Sequence, residues 1–217
     1  MLLAAEHLIV GRMTKLTLVQ SSDVEPGRAG VLDAAGRLFR LKGFATTTVR
    51  DIAEAAGVLP GSLHYRFRTK ESILLALMER GISSAEAAFR TAVAGSRHPI
   101  ERLRAAIRAH VELLIGGDDA TYVLLYEGRG LEGEARAAMT RLRDRYDALW
   151  DGLLYQAVGS GVLREATDVK LTRLMILGAL NWIPQWFNPT GGKNPGEIAD
   201  VFADIVLVGL LDERGGP

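Results

Sequence analysis

Residues 46–70, TTTVRDIAEAAGVLPGSLHYRFRTK, read as two short helices joined by a tight turn, with phosphate-seeking residues at the helix ends. Thr48 followed three residues later by Asp51 fits a capping box, which predicts a helix that starts near Val49 and buries Ile52, Ala53 and Ala56. Gly57 ends it, supplying a left-handed backbone that a residue with a Cβ tolerates poorly, and Val58 plugs the angle between the helices. Pro60 suits the first turn of the second helix, where its missing N–H is not needed. This is the layout of a helix-turn-helix that reads DNA. Leu63 and Phe67, four residues apart, face inward, so Pro60, Gly61, Ser62, His64, Tyr65 and Arg66 are left to meet the major groove. Thr47 or Thr48 before one helix, and Lys70 at the start of the next, are expected to grip phosphates through side chains and amide dipoles.

Outward from this stretch the helical period continues. Val31, Leu32, Ala35, Leu38 and Phe39 form one face of a preceding helix that Gly43 ends, and Ile73, Leu74, Leu77, Met78 and Ile82 open a long helix running to about Val93. After the GSRHP loop, Ile100, Leu103, Ile107, Val111 and Leu114 recur at helical spacing until Gly116-Gly117-Asp118-Asp119. Leu142, Leu149, Leu153 and Leu154 mark a helix ending at Gly159-Ser160-Gly161. Two more are expected at Asp168 to about Phe187 and Pro195 to about Leu211. The predicted class is all-α: a three-helix head over residues 26–70 and a helical body over 71–217, preceded by a mobile arm at 1–25 or by a translation start at Met13. The apolar N-terminus lacks a basic region and is broken by Glu6 and His7, against export. No apolar run approaches the length of a membrane span, so a cytoplasmic protein is expected.

The formal charge of zero hides a division. Residues 28–70 hold eight Lys/Arg against three acidic residues, a net of +5, while the remaining 18 basic and 23 acidic residues give −5. A basic pole suits a chain that meets a polyanion at one end. The absence of cysteine excludes disulfides and thiolate sites.

TTTVRDIAEAAGV, GSLHYRF and TKESILLAL, with FRLKGF upstream, together resemble the DNA-binding domain of the TetR family of transcriptional regulators, in register from Arg28 to Leu77. The resemblance implies a homodimer whose heads bind a palindromic operator in double-stranded DNA and whose bodies bind a small effector. It also implies that Tyr65 contacts phosphate and that Arg50 reaches a base or the backbone. His64 departs from the Tyr often found at that position.

Gly128-Arg129-Gly130-Leu131-Glu132-Gly133 is a literal G-x-G-x-x-G after the apolar Tyr122–Tyr126, the pattern of an NAD(P)-binding enzyme. The acid such a site needs about twenty residues on would be Asp147 or Asp151, inside a helical segment, so a helix end and loop is the favoured reading. No metal-ligand or nucleophile spacing occurs, and neither catalysis nor a bound cofactor is expected. His110 is read as a pocket wall or an ordinary polar contact.

The last two helices carry more apolar surface than one inward face requires: Leu171, Leu174, Met175, Leu177 and Gly178, then Ile198, Val201, Phe202, Ile205, Val208 and Gly209. Packed on their copies they would form a four-helix interface. Tyr122, Tyr126, Tyr146, Trp150, Trp182 and Trp186 are candidates to line an effector pocket, or else form an aromatic core. NWIPQWFNPTGG, EIADVFADIVLVGL, TYVLLYEGRGL and RDRYDALWDGLL are similar to a TetR branch that controls lipid or steroid catabolism and responds to acyl-CoA thioesters. Arg173 and Arg129, with Arg136, Arg141, Arg143 or Arg145, would then neutralise phosphates; a hydrophobic acid or a drug-like molecule is the rival ligand. The helix starting at Lys70 would carry the signal from body to head.

Overall fold

The computed structural model describes residues 27–210. The expectations for an arm at 1–25 and for Met13 lie outside the described residues. Those described form α1 (Arg28–Lys42), α2 (Val49–Ala56), α3 (Pro60–Arg66), α4 (Lys70–Ala94), α5 (Pro99–Gly116), α6 (Asp119–Tyr126), a 3₁₀ turn (Glu127–Gly130), α7 (Gly133–Gly159), α8 (Val169–Asn181), α9 (Ile183–Trp186) and α10 (Pro195–Leu210), with no strand.

The head forms as its local chemistry dictates. The Thr48 hydroxyl accepts from Asp51 N at 3.1 Å while the Asp51 carboxylate accepts from Thr48 N at 3.0 Å, closing the capping box of α2. The hydrogen bond from Thr48 N holds the Asp51 carboxyl below its ordinary range. Gly57 adopts φ 66°, ψ 30°, and the N–H groups of Gly57 and Val58 close the helix end on Glu54 and Ala53. Val31, Ala35 and Phe39 of α1, Ile52 of α2 and Leu63 of α3 meet Ile73, Leu74 and Leu77 of α4 in a core closed to solvent. Each of these larger side chains contributes about 1.5–3 kcal/mol by leaving water.

The body is built around α4, which packs on α5, α6 and α7, while α10 lies along α5. Arg104 and Arg108 of α5 pair with Asp204 and Asp200 of α10 across that seam. The single helix predicted from Asp168 to Phe187 is in fact two. Pro184 has no N–H to donate to the preceding turn, so α8 stops at Asn181 and α9 restarts at Ile183, after Trp182.

The head joins the body through α6. Arg40 of α1 pairs with Asp119 at 3.2 Å and lies over the Tyr122 ring at 5.3 Å, and Phe44 N donates to Glu127 Oε2 at 2.7 Å. Arg80 of α4 bonds Asp33 of α1 at 2.6 Å.

Candidate functional site

Two surfaces carry the chemistry. On the head, α3 turns Leu63 inward, and Pro60, Gly61, His64 and Tyr65 are exposed, Tyr65 to 93%. Ser62 and Arg66 are half-buried on the same short helix, and Arg50 is exposed on α2. Thr48 is exposed at the α2 N-terminus. Leu59, the residue before α3, is also exposed; an apolar side chain at this position can meet a thymine methyl group.

Two expected phosphate ligands are corrected. Thr47 is buried, its hydroxyl donating to Gly43 O at 2.8 Å, so it fastens the turn after α1. The Lys70 ammonium donates to Phe44 O at 2.7 Å, Thr47 O at 2.8 Å and Ala45 O at 3.2 Å, and stands 4.4 Å from the centre of the Phe44 ring. An ammonium has three hydrogens, and three carbonyls take them. Lys70 therefore clamps the α1–α2 turn, leaving its main-chain N–H at the start of α4 for a phosphate.

The second surface is a cavity of about 460 Å³ in the body, lined from α4 (Ile82, Ala85), α5 (His110, Leu113, Leu114), α6 (Thr121, Leu124, Leu125, Tyr126), α7 (Arg143, Tyr146, Asp147) and α8 (Arg173, Leu174, Leu177, Gly178, Asn181), with Arg129 and Trp182. Of the expected pocket residues, Tyr126, Arg129, Tyr146, Arg173 and Trp182 are brought together here. Three others are not. Trp150 is wholly buried in the core against Phe89, Tyr146 and His110. Tyr122 packs against Tyr126, the rings tilted by 50° with centroids 4.8 Å apart, and lies under Arg40 at the head joint. Trp186 lies on a separate groove with Phe187, Lys193 and Val201. These positions follow from how each helix is rotated about its axis, which side-chain type does not reveal.

The cavity wall contains a buried polar chain. His110 Nε2 lies 3.0 Å from Asn181 Oδ1, and its Nδ1 lies 2.9 Å from Tyr146 Oη. With Oδ1 accepting, Nε2–H donates to it and the Tyr146 hydroxyl donates to Nδ1. Burial lowers the His110 pKa to about 4, so the ring is neutral at pH 7, and burial raises the Tyr146 pKa.

Charge in the cavity is unevenly available. Arg173 is buried and pairs with Asp147 and, at 2.7 Å, with Asp151, a correction to its expected phosphate role. Burial pushes the Asp147 carboxyl up while Arg173 draws it down. Arg136 donates to Leu131 O and Arg129 O, Arg145 pairs with Glu86 and Glu79, and Arg141 borders a different groove. Arg129 and Arg143 remain as cavity cations with no carboxylate in a salt bridge among the described residues, Arg143 donating to Leu124 O at 3.0 Å. Asn181 and Thr121 were missed by sequence reading. Asn181 was signalled by a polar side chain closing the apolar run Leu174–Leu180, one turn beyond Leu177.

The glycine pattern is not a nucleotide loop. Tyr122–Tyr126 is helix, and a Cβ at Gly128 would lie 2.3 Å from Met139 Sδ, so that glycine permits close packing of the 3₁₀ turn on α7. Among the described residues no group of three His, Asp or Glu is placed to hold a metal, and no helix is long and apolar enough to cross a membrane.

A helix-turn-helix head with an exposed second helix, joined to a helical body with a cavity, defines a ligand-binding transcriptional regulator that binds DNA. The chain belongs to the TetR family: residues 31–77 match the bacterial regulatory proteins of the tetR family and residues 96–210 the tetracyclin repressor-like C-terminal domain. It is similar to the HTH-type transcriptional repressor KstR2 of Rhodococcus jostii (strain RHA1), 31% identical over 84% of this chain and 90% of that protein. Among solved structures it resembles AibR in complex with isovaleryl coenzyme A and operator DNA (TM-score 0.74, 28% identity, 82% and 96% of the two chains). It also resembles the ketosteroid transcriptional regulator KstR2 of Mycobacterium tuberculosis (TM-score 0.71, 27% identity, 86% and 95%). The chain is a TetR-type transcriptional repressor.

Proposed function

We propose that this repressor works in the cytoplasm as a homodimer on a palindromic operator, through a head at 26–70, and is released by an acyl-CoA thioester bound in the body at 71–217. Pro60, Gly61, Ser62, His64 and Tyr65 face the major groove, with Arg50, Arg66 and Thr48 at its edges. The dimer reading is supported by an apolar face: Leu171, Leu174 and Met175 of α8 and Val201, Ile205 and Val208 of α10 are each at least 43% exposed.

The observation that carries the effector reading is the combination of an apolar cavity with Arg129 and Arg143, neither of which forms a salt bridge to a carboxylate among the described residues, although Asp147 acts on Arg143 through space. Arginine suits the phosphates of coenzyme A, and leucines suit an acyl chain. AibR, bound to isovaleryl coenzyme A and operator DNA, supports the same assignment. Effector binding would reach the head by two routes, along α4 and through α6, whose Thr121, Leu124, Leu125 and Tyr126 line the cavity while Asp119 and Tyr122 hold α1.

Titration calorimetry with octanoyl-CoA and octanoic acid, followed by release of fluorescent operator DNA, tests the reading. Binding of the thioester with loss of DNA is expected. Binding of the free acid alone would replace the thioester by the hydrophobic-acid reading.

A further inference from the structure

The 3₁₀ turn between α6 and α7, Glu127–Gly130, touches the cavity and the head at once. Glu127 Oε2 accepts from Phe44 N at 2.7 Å, a bond that joins positions 83 residues apart and holds the turn between α1 and α2. That turn seats α2. Lys70 takes its carbonyls at Phe44, Ala45 and Thr47, the Thr47 hydroxyl fastens it to Gly43 O, and Thr48, the next residue, caps the helix. Two residues beyond Glu127, Arg129 borders the cavity. Between them Gly128 packs against Met78 of α4 and Met139 of α7 with no room for a Cβ, so its backbone is tied to those two helices. The turn therefore has a fixed centre, with one side on the ligand site and the other on the head.

We infer that Glu127 is a positioning residue for operator binding: its bond to Phe44 N belongs to the state that binds DNA and opens when a ligand draws Arg129 into the cavity and rotates the turn about Gly128. This rests on the cavity being the effector site. A shift of about 1 Å at the Glu127 carboxylate already takes the pair beyond hydrogen-bonding distance. A contact made in one of two states biases the equilibrium between them, so its removal must act on operator and effector with opposite sign. A side chain that merely held the fold together would weaken both.

The test compares wild type with Glu127→Met, which keeps the side-chain length and removes the acceptor, and with Glu127→Gln, which keeps an amide oxygen. Fluorescence anisotropy reports operator affinity, and calorimetry reports affinity for octanoyl-CoA, or for octanoic acid if the thioester does not bind. In Glu127→Met, ligand affinity rises while operator affinity falls or holds, the gain and the loss multiplying to about tenfold, the weight of one charge-assisted hydrogen bond. Most of the change falls on the ligand side, because the DNA-binding state of a repressor predominates without ligand. Glu127→Gln lies between wild type and Glu127→Met, and carries the same test with a smaller product should Glu127→Met not fold. Unchanged affinities, a parallel loss of both, or a loss on the operator with no gain for the ligand overturn the inference and leave the effector reading standing. If wild type binds neither octanoyl-CoA nor octanoic acid, the effector reading falls and the inference with it.

Discussion

Replacing Lys70 by Met separates two roles that a lysine at a helix start can have. In the structure its ammonium serves three carbonyls of the turn between α1 and α2. A hydrogen bond to a charged group contributes about 1.5–3 kcal/mol when dry, but this site is half-buried and water can reach the freed carbonyls. The loss for the three together, with the Phe44 ring contact, is then about 2–3 kcal/mol. At a urea dependence of about 2 kcal/mol per molar, the unfolding midpoint drops by about 1 M. Amide exchange should accelerate across residues 43–49. Operator binding measured by fluorescence anisotropy at several salt concentrations supplies the second readout. Affinity falls as the turn that positions α2 loosens, yet the salt dependence of log K stays as in wild type, because no phosphate contact is removed. A lysine on phosphate would give the reverse, a slope smaller by about one with an unchanged urea midpoint. That outcome would refute the clamp.

Three further outcomes are expected. Folded His110 titrates at about 4 and an unfolded histidine near 6.5. The unfolded chain thus binds more protons between those values, and His110 withdraws up to about 3 kcal/mol of stability as pH falls from 6.5 to 4; His110→Gln should flatten this loss in urea titrations, and parallel losses in both proteins would contradict it. Trp182→Ala should weaken effector binding about tenfold in calorimetry while Trp186→Ala leaves it unchanged, because only Trp182 borders the cavity; equal effects would merge the two grooves. Ile205→Glu with Val208→Glu should yield monomers by sedimentation and reduce operator affinity by about 100-fold or more, since each head would bind a half-site alone; an intact dimer would place the interface elsewhere.

The head was legible because its instructions are local. The Thr48–Asp51 box, Gly57 and Pro60 act within four residues of themselves, and each does in the structure what its chemistry requires. Lys70 was misread for the opposite reason: its partners lie 23 to 26 residues earlier, and only the packing of α1 against α4 brings those carbonyls within reach. Which of the expected pocket residues share the cavity was set in the same manner. Tyr122 and Tyr126 are one turn apart with similar side chains, yet one meets Arg40 and the other the cavity. Arg173 looked available as a cation until α7 brought Asp147 and Asp151 against it. Side-chain type set the inventory, and helix rotation decided its use.

Helix α6 has only eight residues, and they are divided between two purposes. Its cavity face and its head face alternate along little more than two turns, so a substitution that reshapes the ligand site from this side also disturbs the seat of α1. The walls given by α5 and α8 carry no such double duty toward the head. Anyone retuning this repressor to a new inducer should vary Leu113, Leu177 and Trp182 first and leave α6 fixed, since changes of taste made there arrive together with changes of response.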